Sequence, residues 1–94
     1  MATVHLPAAL SAYAEQRRRV EVQLPGEGAT VAALLDALGE AHPGVRQRVQ
    51  DEQGALRPHV NVFVNGESIR YLSGLSTLLT EADEVWILPA VSGG

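Results

Sequence analysis

At 94 residues, 46% hydrophobic and 19% charged, the chain is sized for one folded domain over residues 1–94, burying roughly 60–65% of its unfolded surface around a modest core. Its formal net charge of −4 argues against a nucleic-acid partner, because phosphate binding needs a basic surface. With no cysteine the chain carries no disulfide, no zinc–thiolate site and no nucleophilic thiol, and with no lysine it offers no ε-amine for modification.

No apolar run approaches the roughly 18 residues that span a bilayer, so no membrane partner is expected. The first thirteen residues lack the basic start and long apolar stretch of a signal peptide, and a cytoplasmic location is the expectation. Arg17-Arg18-Arg19 is the one basic run and reads as a solvated turn, with a docking patch as the alternative.

"TVHLP" at 3–7 alternates, with Val4 and Leu6 on one side and Thr3 and His5 on the other, which predicts a half-buried strand. "RVEVQLP" at 19–25 alternates more cleanly, placing Val20, Val22 and Leu24 inward and Glu21 and Gln23 outward. The stretch between them reads as a hairpin connection with a helical turn. Pro25-Gly26-Glu27-Gly28 breaks the chain, and Thr30 is a helix cap. Val31, Leu34, Leu35 and Leu38 then form an amphipathic stripe that Pro43 ends near Ala41 or His42. Gly39 weakens the last turn by about 1 kcal/mol relative to alanine. A short second helix is expected around Val45 and Val49.

In "HVNVFVNGESIRYL" at 59–72, Val60, Val62 and Val64 share one face and Asn61, Phe63 and Asn65 the other. Asn65-Gly66 signals a type I′ hairpin, whose two central residues need positive φ. A short strand around Ser68–Tyr71 is expected to pair back. Residues 75–84 read as a turn or single helical turn, with Leu78 or Leu79 plugging the core. "EVWILP" at 84–89 puts Val85 and Ile87 inward and Trp86 and Leu88 outward.

The resulting fold class is α+β. One main helix can cover one face of a mixed sheet of four to five strands, the ubiquitin-like β-grasp arrangement, with a flexible C-terminal tail over residues 89–94. In that arrangement the last strand is central and the third lies beside it. Phe63, Trp86 and Leu88 then meet on the face without the helix, where large apolar groups mark a partner site. The alternative is that loops cover them or that Trp86 belongs to the core. After Pro89, which has no N–H for a ladder, Ala90, Val91, Ser92, Gly93 and Gly94 have little to bury. Six extended residues reach roughly 20 Å, and two terminal glycines can thread a narrow slot and present a carboxylate.

The stretches "TVAALLDAL", "VFVNGE" and "ADEVWILPAVSGG", with the alternating start, resemble the MoaD/ThiS family of ubiquitin-like sulfur carriers over essentially the whole chain. Within it the sequence looks most like the CysO-type carriers, on "HVNVFVNGESIRYLSGLSTLL" and the "ILPAV-GG" ending. Ser92 stands where a small apolar residue is expected. The resemblance implies that an E1-like adenylyltransferase/sulfurtransferase uses ATP and magnesium to adenylate the carboxylate of Gly94. Sulfur then displaces AMP to leave a thiocarboxylate. Gly93 and Gly94 would occupy the partner's slot, with Phe63, Trp86, Leu88, Pro89, Ala90, Val91 and Ser92 as partner contacts. The sulfur would go to a cysteine synthase holding an activated serine on pyridoxal phosphate, and a metallopeptidase would release the new cysteine. The chain itself would bind no cofactor or metal and would be a carrier, not an enzyme.

Other arrangements fail as catalytic sites. His5, His42 and His59 lack ligand spacing and read as surface or helix-end residues. Asp51-Glu52 and Asp83-Glu84 read as solvated pairs in turns. Open alternatives are the small subunit of a molybdopterin synthase, a carrier for thiosugars or other thiolated metabolites, a ubiquitin-like protein modifier, and a plain interaction domain.

Overall fold

The computed structural model describes residues 1–89; Ala90, Val91, Ser92, Gly93 and Gly94 lie outside the described residues, and with them the rest of the expected tail, whereas Pro89, expected to begin that tail, instead stands in the last strand opposite Val60, a position that asks only for its backbone in register. The elements are β1 (Ala2–His5), α1 (Ala8–Ser11), β2 (Arg19–Val22), α2 (Val31–Ala41), α3 (Pro43–Val49), β3 (Val60–Val64), β4 (Glu67–Ser68) and β5 (Glu84–Pro89). Two 3-10 turns, Ile69–Tyr71 and Gly74–Ser76, lie between β4 and β5.

The strands form one five-stranded sheet in the order β2-β1-β5-β3-β4. Only β1 and β5 run parallel; the other neighbours are antiparallel. This is the β-grasp topology expected from the pattern, with the last strand central. Registers turn the alternation into rows. Val20 lies opposite Val4, Val4 opposite Val85, and Val85 opposite Val64, so four valines cross the helix-facing side in one line. Ile87 and Val62 form the next pair.

Helix α2 covers this side with Val31, Leu34, Leu35 and Leu38, all buried. Its start is capped as expected: the Thr30 hydroxyl accepts the Ala33 amide at 3.2 Å. Pro43 ends α2 and opens α3, with His42 the hinge between them. Of the two candidate plugs, Leu79 is buried and Leu78 is 67% exposed. The backbone decides between them, because the Leu79 amide donates to Ala29 O at 2.9 Å and pins that residue beside the start of α2.

Two further expectations change. The strand pairing back from the hairpin is Glu67–Ser68, not Ser68–Tyr71. The Ser68 hydroxyl accepts the Arg70 amide and coils Ile69–Tyr71 into a 3-10 turn, which puts Ile69 in the core. The carboxylates of Asp51 and Asp83 are not merely solvated. Asp51 Oδ1 accepts the Gln53 and Ala55 amides at 2.9 and 3.0 Å, closing its loop. Asp83 Oδ1 accepts Asn65 Nδ2 at 2.8 Å and Oδ2 accepts the Thr80 amide, while Asn65 Oδ1 accepts the Glu84 amide at 2.9 Å. The hairpin turn, with φ of 49° at Asn65 and 89° at Gly66, is thereby tied to the start of β5.

Gly39 has a packing reason that periodicity does not reveal. A Cβ there would lie 2.6–2.9 Å from Cδ, Cβ and Cγ of Arg46 on α3. The two helices approach closely because residue 39 has no side chain. Gly39→Ala should therefore lower the melting temperature, although alanine in an ordinary helix interior gains about 1 kcal/mol over glycine. Thermal unfolding followed by circular dichroism checks this; a rise would mean that α3 moves away without loss.

Candidate functional site

The side of the sheet away from α2 carries a second row, formed by the outward residues of the same strands. Arg19 lies opposite His5, His5 opposite Trp86, Trp86 opposite Phe63, and Phe63 opposite Ser68. Leu88 follows, opposite Asn61. The structure thus brings Phe63, Trp86 and Leu88 together. Trp86 is 41% exposed and Leu88 38%, whereas Phe63 is half-buried between its cross-strand neighbours.

His5 is part of this face, a role that its reading as a surface or helix-end residue did not include. Its ring stacks on Trp86 with centroids 3.8 Å apart and planes 9° from parallel. Its Nε2 lies 2.7 Å from Glu84 Oε1. On the same side the Thr3 hydroxyl reaches both carboxylate oxygens of Glu21 at 3.1 Å. An aromatic held in one orientation loses little side-chain freedom when a partner covers it, which makes this row a better docking surface than exposure alone would. The signal was present in the sequence: β1 alternation points His5 outward, and parallel pairing with β5 sets it beside Trp86. His42 sits at the junction of α2 and α3, and His59 is exposed before β3.

The three arginines read as a solvated turn are exposed, but each is tethered. Arg18 Nε donates to Leu6 O at 3.0 Å, and Arg17 and Arg19 pair loosely with Glu15 and Glu21. Their connection, with α1, forms one wall of a cleft of about 320 Å³ beside Leu88 and Pro89. Leu10, Tyr13 and Arg48 line it across from Val60. Pro89 is exposed, paired in register with Val60 as the last described residue of the sheet.

Among the described residues no group of three or more His, Asp or Glu side chains is placed to hold a metal ion, and no helix is long and apolar enough to cross a membrane. The chemistry on offer among the described residues is that of a surface: a row centred on Trp86 and Phe63, on the strand that is described as far as Pro89.

A mixed sheet with a central last strand, one covered face and one presented face defines a ubiquitin-like β-grasp protein. The ThiS family matches residues 4–94, and the chain belongs to that family of sulfur carriers. It is 34% identical over 94 residues to the "Sulfur carrier protein CysO" of Mycobacterium tuberculosis, covering 98% of this chain and 97% of that protein. It is 42% identical over 77 residues to "Small archaeal modifier protein 1" of Haloferax volcanii, covering 82% of this chain and 83% of that one. A chain of the crystallised Amycolatopsis orientalis BexX/CysO complex superposes with a TM-score of 0.85 at 33% identity, over all of both chains.

The stack can be tested with the protein's single tryptophan as reporter. His5→Ala should shift Trp86 emission to longer wavelength and cost about 0.5–1.5 kcal/mol, the range for an aromatic pair. Unchanged emission would mean that the two rings are not stacked in solution.

Proposed function

We propose that this chain carries sulfur as a thiocarboxylate on Gly94. The observation that carries the reading is that the ThiS match runs to residue 94 and ends on Gly93-Gly94, a few residues beyond a central strand with an oriented aromatic face. A carboxylate oxygen of Gly94 attacks the α-phosphorus of ATP, held with magnesium by an E1-like enzyme, and pyrophosphate leaves. Sulfide from the sulfur source then attacks the acyl carbon, AMP leaves, and –COSH remains. Glycine suits both steps, since a Cβ beside the acyl carbon would crowd a slot shared with a nucleotide. The chain acts as co-substrate, and the acid–base chemistry and cofactors belong to its partners.

The extended similarity to a CysO sulfur carrier favours donation to cysteine synthesis, in which the thiocarboxylate sulfur attacks an activated serine on a pyridoxal phosphate enzyme. An S-to-N acyl shift would leave cysteine amide-linked to Gly94 for a metallopeptidase to release. A second reading, conjugation through Gly94 to protein amines, is favoured by the identity to an archaeal modifier. Intact-mass analysis after incubation with ATP, magnesium, the E1-like enzyme and a sulfur source separates the two. Exchange of one oxygen for sulfur at the C-terminus supports the carrier, and a cysteine added on supplying a cysteine synthase with O-phosphoserine supports the cysteine pathway. Linkage to lysines of other proteins supports the modifier.

Adding one residue after Gly94 should leave the fold intact and abolish sulfur loading; loading at the new end would refute the reading. Trp86→Asp and Leu88→Asp should each weaken binding to the E1-like enzyme by about 2 kcal/mol or more; Leu88→Asp should change the melting temperature little, since its side chain is partly exposed, whereas Trp86→Asp also loses the stack on His5 and should lower it. Phe63→Asp should weaken binding and stability together. Unchanged affinity in calorimetric titrations would remove this face from the interaction.

A further inference from the structure

We propose that the cleft beside Pro89 is a second docking element for the activating enzyme, taking from it an apolar side chain flanked by a carboxylate. This rests on the reading that an E1-like enzyme activates this chain.

The cleft is built rather than incidental. One wall is Pro7, Leu10 and Tyr13 from the β1–β2 connection; the other is Val60, Leu88 and Pro89 from the ends of β3 and β5. An apolar cavity of about 150 Å³ is enough for a benzene ring, so an open one of about 320 Å³ admits a side chain of leucine or phenylalanine size. Tyr13 is seated on the backbone of α3: a Cβ at Gly44 would come within 2.9 Å of its ring. Arg48 lies over that ring, its guanidinium carbon 3.5 Å from the centroid, and Nη1 donates to Gly44 O at 3.1 Å. The guanidinium is thus held in place by contacts that use one of its five N–H donors.

Charge identifies the occupant. The chain has eleven acidic residues, yet the residues lining the cleft include Arg48 and His59 and no carboxylate. No carboxylate among the described residues pairs with Arg48. Arg46 and Arg57 continue the basic edge along an adjoining trough that Arg48 also lines. Three arginines there face two carboxylates, of which Asp51 is engaged by two backbone amides and Glu52 is exposed, and Arg46 is spanned loosely to Asp36 at 3.6 Å. A positive rim around an apolar cleft, in an acidic protein, complements a partner surface with an apolar side chain beside Asp or Glu. Arginine on an aromatic next to an apolar recess is also the composition of an interface hot spot. Position agrees: Leu88 belongs to both the open face and the cleft, and Pro89, the last described residue, lines the cleft. An enzyme that covers Trp86 and Leu88 and receives the residues after Pro89 passes over its mouth.

The test compares affinities for the E1-like enzyme of the same organism. Arg48→Glu reverses the rim charge, and Ala9→Glu places a carboxylate at the mouth from an exposed position. Arg70→Glu makes the same charge change away from the cleft. Arg48→Glu and Ala9→Glu should each weaken binding at least about tenfold, and Arg70→Glu should not. Raising salt should weaken the wild type more than Arg48→Glu. If Arg48→Glu fails to fold, Ala9→Glu decides. Should Trp86→Asp weaken binding while both cleft variants match Arg70→Glu, the inference falls and the proposed function stands. Should the wild type not bind the enzyme at all, both fall. A wild-type dimer in sedimentation that Arg48→Glu dissociates would identify a second copy as the occupant and overturn the proposal.

Discussion

Strand β5 has neighbours on both sides, parallel β1 and antiparallel β3, and each residue along it serves one of two environments. Val85 and Ile87 point into the core and are fully buried, while Trp86 and Leu88 point the other way and are partly exposed. A shift of one residue in this pairing would exchange the two sets, placing an indole against α2 and valine on the surface. The covered and presented faces are therefore specified together. The parallel β1–β5 pair requires nearly the whole chain to be placed between its members, and α2 is the cover that this long crossover supplies.

The same strand joins the core to the chemistry proposed for the C-terminus. A carrier of this kind needs no catalytic side chain of its own; it needs a rigid body that a partner can grip and a leader that can leave it. Rigidity comes from the valine row and from α2 beneath it. Grip, on the proposed reading, would come from Trp86, stacked on His5 and opposite Phe63 in register. Proline at position 89, the last described residue of the strand, has no amide hydrogen to give to the ladder.

Most of the fold was legible because its signals are local. Alternating valines at 20–22 and 60–64, the stripe from Val31 to Leu38, the Thr30 cap and the Asn65-Gly66 turn each state their structure within a few residues. What escaped depends on distant partners. His5 and Glu84 are 79 positions apart, so only the parallel pairing reveals that they touch. Gly39 looks like a weak point in a helix until Arg46 of α3 is seen against it. The Asp83 carboxylate looks solvated until Asn65 and Thr80 converge on it. The apolar row at Phe63, Trp86 and Leu88 could be read from alternation plus topology. The cleft could not, since its walls come from the β1–β2 connection, α3 and the ends of two strands. The placement of β4 failed for a local reason: the Ser68 hydroxyl competes with strand pairing by accepting the Arg70 amide.

The pairing of β5 also has a mechanical meaning. Tension applied at Pro89 along the strand runs across the hydrogen bonds that join β5 to β1 and β3, so those bonds share the load instead of opening one after another. At the opposite end the Asn65–Asp83 clamp anchors the strand to the hairpin turn. The edge strands are attached differently: β2 and β4 each have one neighbour, and a force perpendicular to either opens its bonds singly, like a zip. The molecule is therefore stiff toward a pull on its last strand and weak toward peeling at its margins. An enzyme that draws the end of the chain into a deep slot pulls in the stiff direction, and can hold it taut without unravelling the body that delivers it.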